Sequence, residues 1–134
     1  MLFVIAFFSL IGLVVLHELG HFLMAKKFGV RVEEFGIGLP PRLVGKRVGE
    51  TLYSLNLLPL GAFVKLTGEE GQSPDPRSFS QRSLLQRALI VGAGIAAFWV
   101  IAFLIFLALA LTTGIPAGIS DETNGRVLNP QVRV

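Results

Sequence analysis

The sequence predicts an α-helical integral membrane protein, with two transmembrane helices joined by a cytoplasmic, β-rich, membrane-associated loop. Three observations predict it. Two apolar runs, Met1 to Ala25 and Ala88 to Thr112, are each long enough at roughly 1.5 Å per residue to cross about 30 Å of hydrocarbon. The 12 Lys and Arg residues, Arg126 and Arg133 excepted, all fall between Lys26 and Arg87, which puts that loop in the cytoplasm and both termini outside. Inside the loop, short apolar stretches are broken by Gly and Pro at strand-like intervals. The chain divides as 1–28, the first transmembrane helix; 29–79, the loop; 80–112, an interfacial helix and the second transmembrane helix; and 113–134, an extracytoplasmic tail.

Composition agrees with this division. The 134 residues are 52% hydrophobic with mean hydropathy +0.68, the balance of a chain solvated largely by lipid. The net charge of +3 is a topology signal, not a nucleic-acid footprint, because the basic residues are interspersed with Glu33, Glu34, Glu50, Glu69, Glu70 and Asp75. A cleaved signal peptide is disfavoured for the first run, since no Lys or Arg precedes it. The absence of Cys removes disulfides and thiolate ligands.

The first run carries the chemistry, because HELGH interrupts it at His17 to His21. On a helix, residues four apart return to one face about 6 Å along the axis, so His17 and His21 are candidate ligands of one ion. Glu18 flanks that position as candidate catalytic base. HExxH on a helix is the pattern in which two imidazoles hold Zn2+, which acidifies water, while the Glu moves a proton. Leu19 and Gly20 have no chemical duty, and Gly20 permits close packing. The competing reading is a chance pattern exposed beyond a helix end. A membrane setting counts against it, since an ionisable residue inside a span costs about 2.5–3.5 kcal/mol on insertion scales. With the interface at Lys26 and Lys27, the histidines lie roughly 8–14 Å inward. They are the only two histidines, so any third ligand is an oxygen donor or water.

In the loop, LVGKRVGETLYSLNL predicts two short strands around a Gly-Lys-Arg-Val-Gly turn. GAFVKLTG predicts another, and GEEGQSPDPRS an exposed, turn-rich stretch. Such a sheet beside a membrane is a lid, an edge onto which an extended peptide adds as a strand, or simply a packed connector. FSQRSLLQR predicts an interfacial helix from Ser80 to Arg87 that enters the second span, with Arg82 and Arg87 at headgroup level. There Gly92, Ala93, Gly94, Ala96 and Ala97 either let this span pack closely on the first or are ordinary membrane-helix composition. Phe98, Trp99 and Phe103 read as packing or lipid-facing bulk. The tail GRVLNPQVRV ends on a strand-like note.

HELGH on the first span, then FGIGLPPRL and LPLGAFVKLTGEE around a basic loop, resembles the amino-terminal part of the site-2 proteases, intramembrane zinc metalloproteases, over nearly the whole chain. The resemblance implies His17 and His21 as zinc ligands and Glu18 as catalytic base. It implies that the loop is the family's membrane-associated β-region, which helps present an extended substrate. It further implies that the tail begins a truncated PDZ domain, and that the third zinc ligand is an Asp of an Asp-Gly motif on a later membrane helix. Asn129 and Pro130 do not supply that motif, because no Asp follows and no apolar helix surrounds them. The chain departs from the family in the second span. Where the family reads Gly-Pro-x-x-Asn, this sequence has GIAAF, Gly94 to Phe98, so an aromatic ring replaces an amide whose hydrogen bonds it cannot make.

The expected function is therefore that of an intramembrane zinc metalloendopeptidase carrying out regulated intramembrane proteolysis, present here as an amino-terminal fragment that is inactive alone. Its expected partners are the lipid bilayer and a membrane-spanning protein substrate, with anti-sigma factors suggested by resemblance to bacterial members, and no nucleic acid. Its expected location is the cell (inner or plasma) membrane. The alternative is a non-catalytic pseudoprotease or membrane scaffold, which the missing third ligand and Phe98 favour. A metalloprotease that completes HExxH with Glu33, Glu34 or Glu50 ranks last, since these sit in the basic loop without a helical motif around them.

Overall fold

A computed structural model of the chain describes residues 1–114, and the tail with its expected PDZ strand lies outside the described residues. Two long apolar helices flank a two-stranded sheet, in the order α1 (Leu2–Lys27), β1 (Val32–Val48), β2 (Thr51–Leu66), a 3-10 turn (Phe79–Gln81) and α2 (Leu84–Thr113). The chain divides into a unit Met1–Trp99 and a second that starts at Val100. In the second, the Thr112 and Thr113 hydroxyls donate to the carbonyls of Ala108 and Leu109, each at 2.8 Å.

Helix α1 forms because its apolar run contains no Pro and gives the backbone no partner except its own carbonyls. It ends where Gly29, at φ +69°, turns the chain. The Gly29 N–H donates to Lys26 O at 3.0 Å and the Val30 N–H to Ala25 O at 2.9 Å. Lys26 and Lys27 occupy the last turn, where cations suit the negative end of the helix dipole.

The sheet differs from the short strands expected, and its register explains why. Residues 32–37 pair antiparallel with 62–66, and in the same direction with 52–55, from Glu34↔Leu52 to Ile37↔Leu55. Residues 44–48 pair antiparallel with 51–55. Each strand is therefore bent in its middle, and the segments lie in the order 44–48, 51–55, 32–37, 62–66. The turn is at Gly49, φ +61°, and not across 45–49, because Gly45 to Val48 are paired with Ser54 to Thr51. The sequence does not mark the segment from Val32 as a strand, because Glu33 and Glu34 interrupt its apolar pattern. In the sheet both find partners: Glu33 accepts from Thr67 Oγ1 at 3.0 Å, and Glu34 from Ser54 Oγ at 2.6 Å and Arg42 Nη2 at 2.9 and 3.0 Å.

The core sits where these elements meet. Ala25, Val30, Val32, Leu66 and Ile90 are buried together, with Phe22, Met24, Phe28, Val64 and Phe79 packed around them. Phe22 also meets Phe35 and Tyr53 edge-on, with ring centroids 5.4 and 6.0 Å apart, so one face of α1 lies on the sheet. The expected interfacial helix from Ser80 to Arg87 is broken. Ser83 and Gln86 cap each other, the Gln86 N–H donating to Ser83 Oγ at 3.3 Å and the Ser83 N–H to Gln86 Oε1 at 3.2 Å, so α2 starts afresh at Leu84.

Candidate metal centre

Helical spacing gathers the ligand atoms of His17, Glu18 and His21 within 4.8 Å of one another, the one such group of His, Asp and Glu among the described residues. The Nε2 atoms of the two imidazoles converge to 3.1 Å. Two nitrogens held at about 2.0–2.1 Å by one tetrahedral zinc are roughly 3.3 Å apart, so the pair accepts such an ion with little movement. His21 Nδ1–H donates to the carbonyl of Ile90 at 2.8 Å. That bond fixes the tautomer and leaves the Nε2 lone pair free for a metal. His17 lacks such an anchor: its Nδ1 is enclosed without a hydrogen-bond partner, and its ring stacks on Phe98, with centroids 4.8 Å apart and planes 27° apart.

Helix α2 supplies the wall behind these rings. Ile90, Gly94 and Phe98, spaced by four, lie on one stripe of the helix. A Cβ at Gly94 would fall against His21 Nε2 and 2.6 Å from His17 Cε1, so glycine keeps open the space in which the two rings meet. One position along, a Cβ at Gly20 would be 2.5 Å from Ala93 O and 3.2 Å from Ala97 Cβ, whereas Gly92 has nothing within 4 Å. Ala93, Gly94 and Ala97 thus make the close approach that the small-residue run offered, and Gly92 does not. The sequence marks His17, Glu18 and His21 as the candidate group, and nothing in it marks this support. The four-residue spacing, 17 and 21 on one helix and 90, 94 and 98 on the other, is in the sequence, but the rotation that turns the two stripes toward each other is not.

Glu18 and His21 open onto a cleft of about 240 Å³, lined further by Val64, Leu66, Phe79 and Val91, with Glu69 among its walls. A second, apolar cleft of about 350 Å³ lies between Leu19 and Phe22 of α1 and Phe35, Ile37, Val44, Tyr53 and Leu55 of the sheet. The acidic residues weighed as a third ligand are engaged elsewhere. Glu33 and Glu34 hold Thr67 and Arg42 within the sheet, and Glu50 bridges Lys26 Nζ at 2.9 Å and Arg77 Nη1 at 2.7 Å.

Comparison with known proteins gives the family of the chain. The profile of Peptidase family M50 matches residues 5–129. The chain belongs to peptidase family M50, the site-2 protease family. Over 114 residues this M50 chain is 46% identical to a Clostridium perfringens protein named "Putative zinc metalloprotease CPE1693", which covers 85% of this chain and 34% of that protein. It is 38% identical over 126 residues to a Thermotoga maritima protein of similar name, covering 89% of this chain and 25% of that one. It is 46% identical over 68 residues to the Bacillus subtilis regulator of sigma-W protease RasP, covering 50% and 16%. The chain spans about a third of the length of the first of these relatives.

Proposed function

We propose that this M50 chain is the metal-binding, amino-terminal part of an intramembrane zinc metalloendopeptidase. The convergence of His17 Nε2 and His21 Nε2 at 3.1 Å, beside Glu18 and on an apolar helix, carries the reading. Zinc, when bound, supplies a Lewis acid for a peptide carbonyl and lowers the pKa of water. His17 and His21 hold it. Glu18 takes the proton of the attacking water on its carboxylate and returns it to the leaving amine. The cleft that Glu18 shares with Glu69 supports access of water to Glu18.

The substrate is a membrane-spanning protein whose cleaved stretch is extended, because a helix shields its carbonyls. Residues 44–48 pair on one side only, and Val44 and Val48 are exposed, so this edge is positioned to take up a peptide as a further strand. The relative named for sigma-W regulation supports a membrane-anchored regulator such as an anti-sigma factor as the substrate class. Both helices are long and apolar enough to cross a membrane, and the basic residues of 26–87 support a cell-membrane protein with that loop in the cytoplasm and both termini outside. The family resemblance supplies the third ligand from a later helix, so these 134 residues alone hold zinc weakly and do not cleave.

The test is Glu18→Gln in the longer protein. Zinc content is expected to stay at the wild-type level while cleavage of a membrane-spanning reporter falls at least about 100-fold. Undiminished cleavage would remove Glu18 from the mechanism. A non-catalytic binding role is the second reading, favoured by Phe98 at the position where the resemblance implies an amide. Stoichiometric zinc without turnover in the longer wild-type protein would establish it.

A further inference from the structure

The two histidines are held by unlike means. His21 is tied by its Nδ1–H to the Ile90 carbonyl, whereas His17 Nδ1 is enclosed and has no partner. A metal-binding imidazole ordinarily has its second nitrogen anchored, which sets the tilt of the ring. The ring face of Phe98, 4.8 Å away and tilted by 27°, is what stands against that of His17.

We propose that Phe98 is a positioning residue for the metal ligand His17, its stacked ring taking the place of the missing Nδ1 hydrogen bond and favouring the metal-bound form of the imidazole over the free form. The inference rests on the reading of His17 and His21 as ligands. Two physical arguments carry it. Stacking leaves the imidazole free to slide slightly but not to rotate out of plane, so Nε2 keeps facing His21. Coordination to a dication also draws electron density out of the imidazole, and the electron-rich face of a phenyl ring attracts a ring so polarised more than a neutral one. An aliphatic side chain of similar volume fills the space but supplies neither a flat face nor a quadrupole.

The experiment measures zinc affinity by competition with a chromophoric chelator, on the protein in lipid nanodiscs, together with the melting temperature of the zinc-free form. Phe98→Leu keeps the bulk and loses the face, and is expected to weaken zinc about tenfold. Phe98→Tyr keeps the face, with room for its hydroxyl at a position 38% exposed, and is expected to stay within about twofold of wild type. Affinity unchanged in Phe98→Leu, or lost equally in Phe98→Leu and Phe98→Tyr, overturns the proposal, whatever happens to the zinc-free melting temperature. His17→Ala is the separate control. If it leaves zinc affinity at the wild-type level, the metal centre itself is misread and the role of Phe98 goes with it.

Discussion

A methyl group at position 94 would occupy the space in which the His17 and His21 rings meet, 2.6 Å from His17 Cε1. The obstruction is backbone-mounted and cannot rotate away, so the imidazoles must give. Gly94→Ala is expected to lower zinc affinity by at least about tenfold, the loss usual when ligand orientation is disturbed. Gly92→Ala, with nothing within 4 Å, is expected to leave affinity unchanged, and a competition titration on the two variants checks both outcomes. In the sequence these glycines are indistinguishable, two residues apart in VGAGI. The convergence of His17, Glu18 and His21 was legible because HExxH has a spacing that helical geometry makes meaningful on one element alone. The support from Ile90, Gly94 and Phe98 was not, because it depends on the rotation of a second helix about its axis, which tertiary contacts such as Gly20 on Ala93 and His21 on the Ile90 carbonyl fix.

At the scale of elements, the connection between α1 and the hairpin turn is ionic. Glu50 accepts from Lys26 at 2.9 Å and pairs with Arg77 at 2.7 Å. The Lys26 hydrogen bond holds the Glu50 carboxyl below the ordinary carboxylate range, Arg77 adds to this, and partial desolvation opposes it. A carboxyl with a folded pKa below its unfolded value stabilises the fold above the unfolded pKa, near 4.3 for a free Glu, and that stabilisation is lost as pH falls through the folded value. Its side chain is 30% exposed, so solvent screens the effect. Glu50→Gln is expected to melt slightly lower than wild type at pH 7, and the two melting curves are expected to converge as the pH drops below 4. A constant difference down to pH 3 would mean that packing of the turn matters and its charge does not. The turn residue itself was misplaced in the sequence because Gly45 and Gly49 are equally good turn formers, and only pairing of 45–48 against 51–54 selects the second. The helices were legible, for a long apolar run leaves its backbone one option.

At the scale of the whole molecule, polarity runs along α1. The turn end of the sheet lies beside Lys26, among Glu50 and Arg77. A Cβ at Gly61, near the bent end, would lie 3.8 Å from Val14, which is roughly 18 Å along the helix from Lys26. The bends at that end carry Leu39, Leu43, Leu57, Leu58 and Leu60, all more than 40% exposed. An irregular backbone at hydrocarbon depth must bond within the protein, and buried Asn56 does this for one bend by donating Nδ2–H to Gly38 O at 3.1 Å. The hairpin is therefore expected to dip into the bilayer beside α1, bringing its free edge to the depth of His17. Because residues 1–134 contain no Cys, a single cysteine placed among them is the one thiol that this part of the protein offers. With a membrane-impermeant maleimide, Gln72→Cys is expected to react in inverted vesicles only, and Leu2→Cys in intact cells only. Leu57→Cys, though 52% exposed in the protein, is expected to react in neither. If Leu57→Cys labels as fast as Gln72→Cys, the sheet stands in the cytoplasm and an extended substrate must leave the membrane to reach it; if Gln72→Cys labels from outside, the charge asymmetry has been read in the wrong direction.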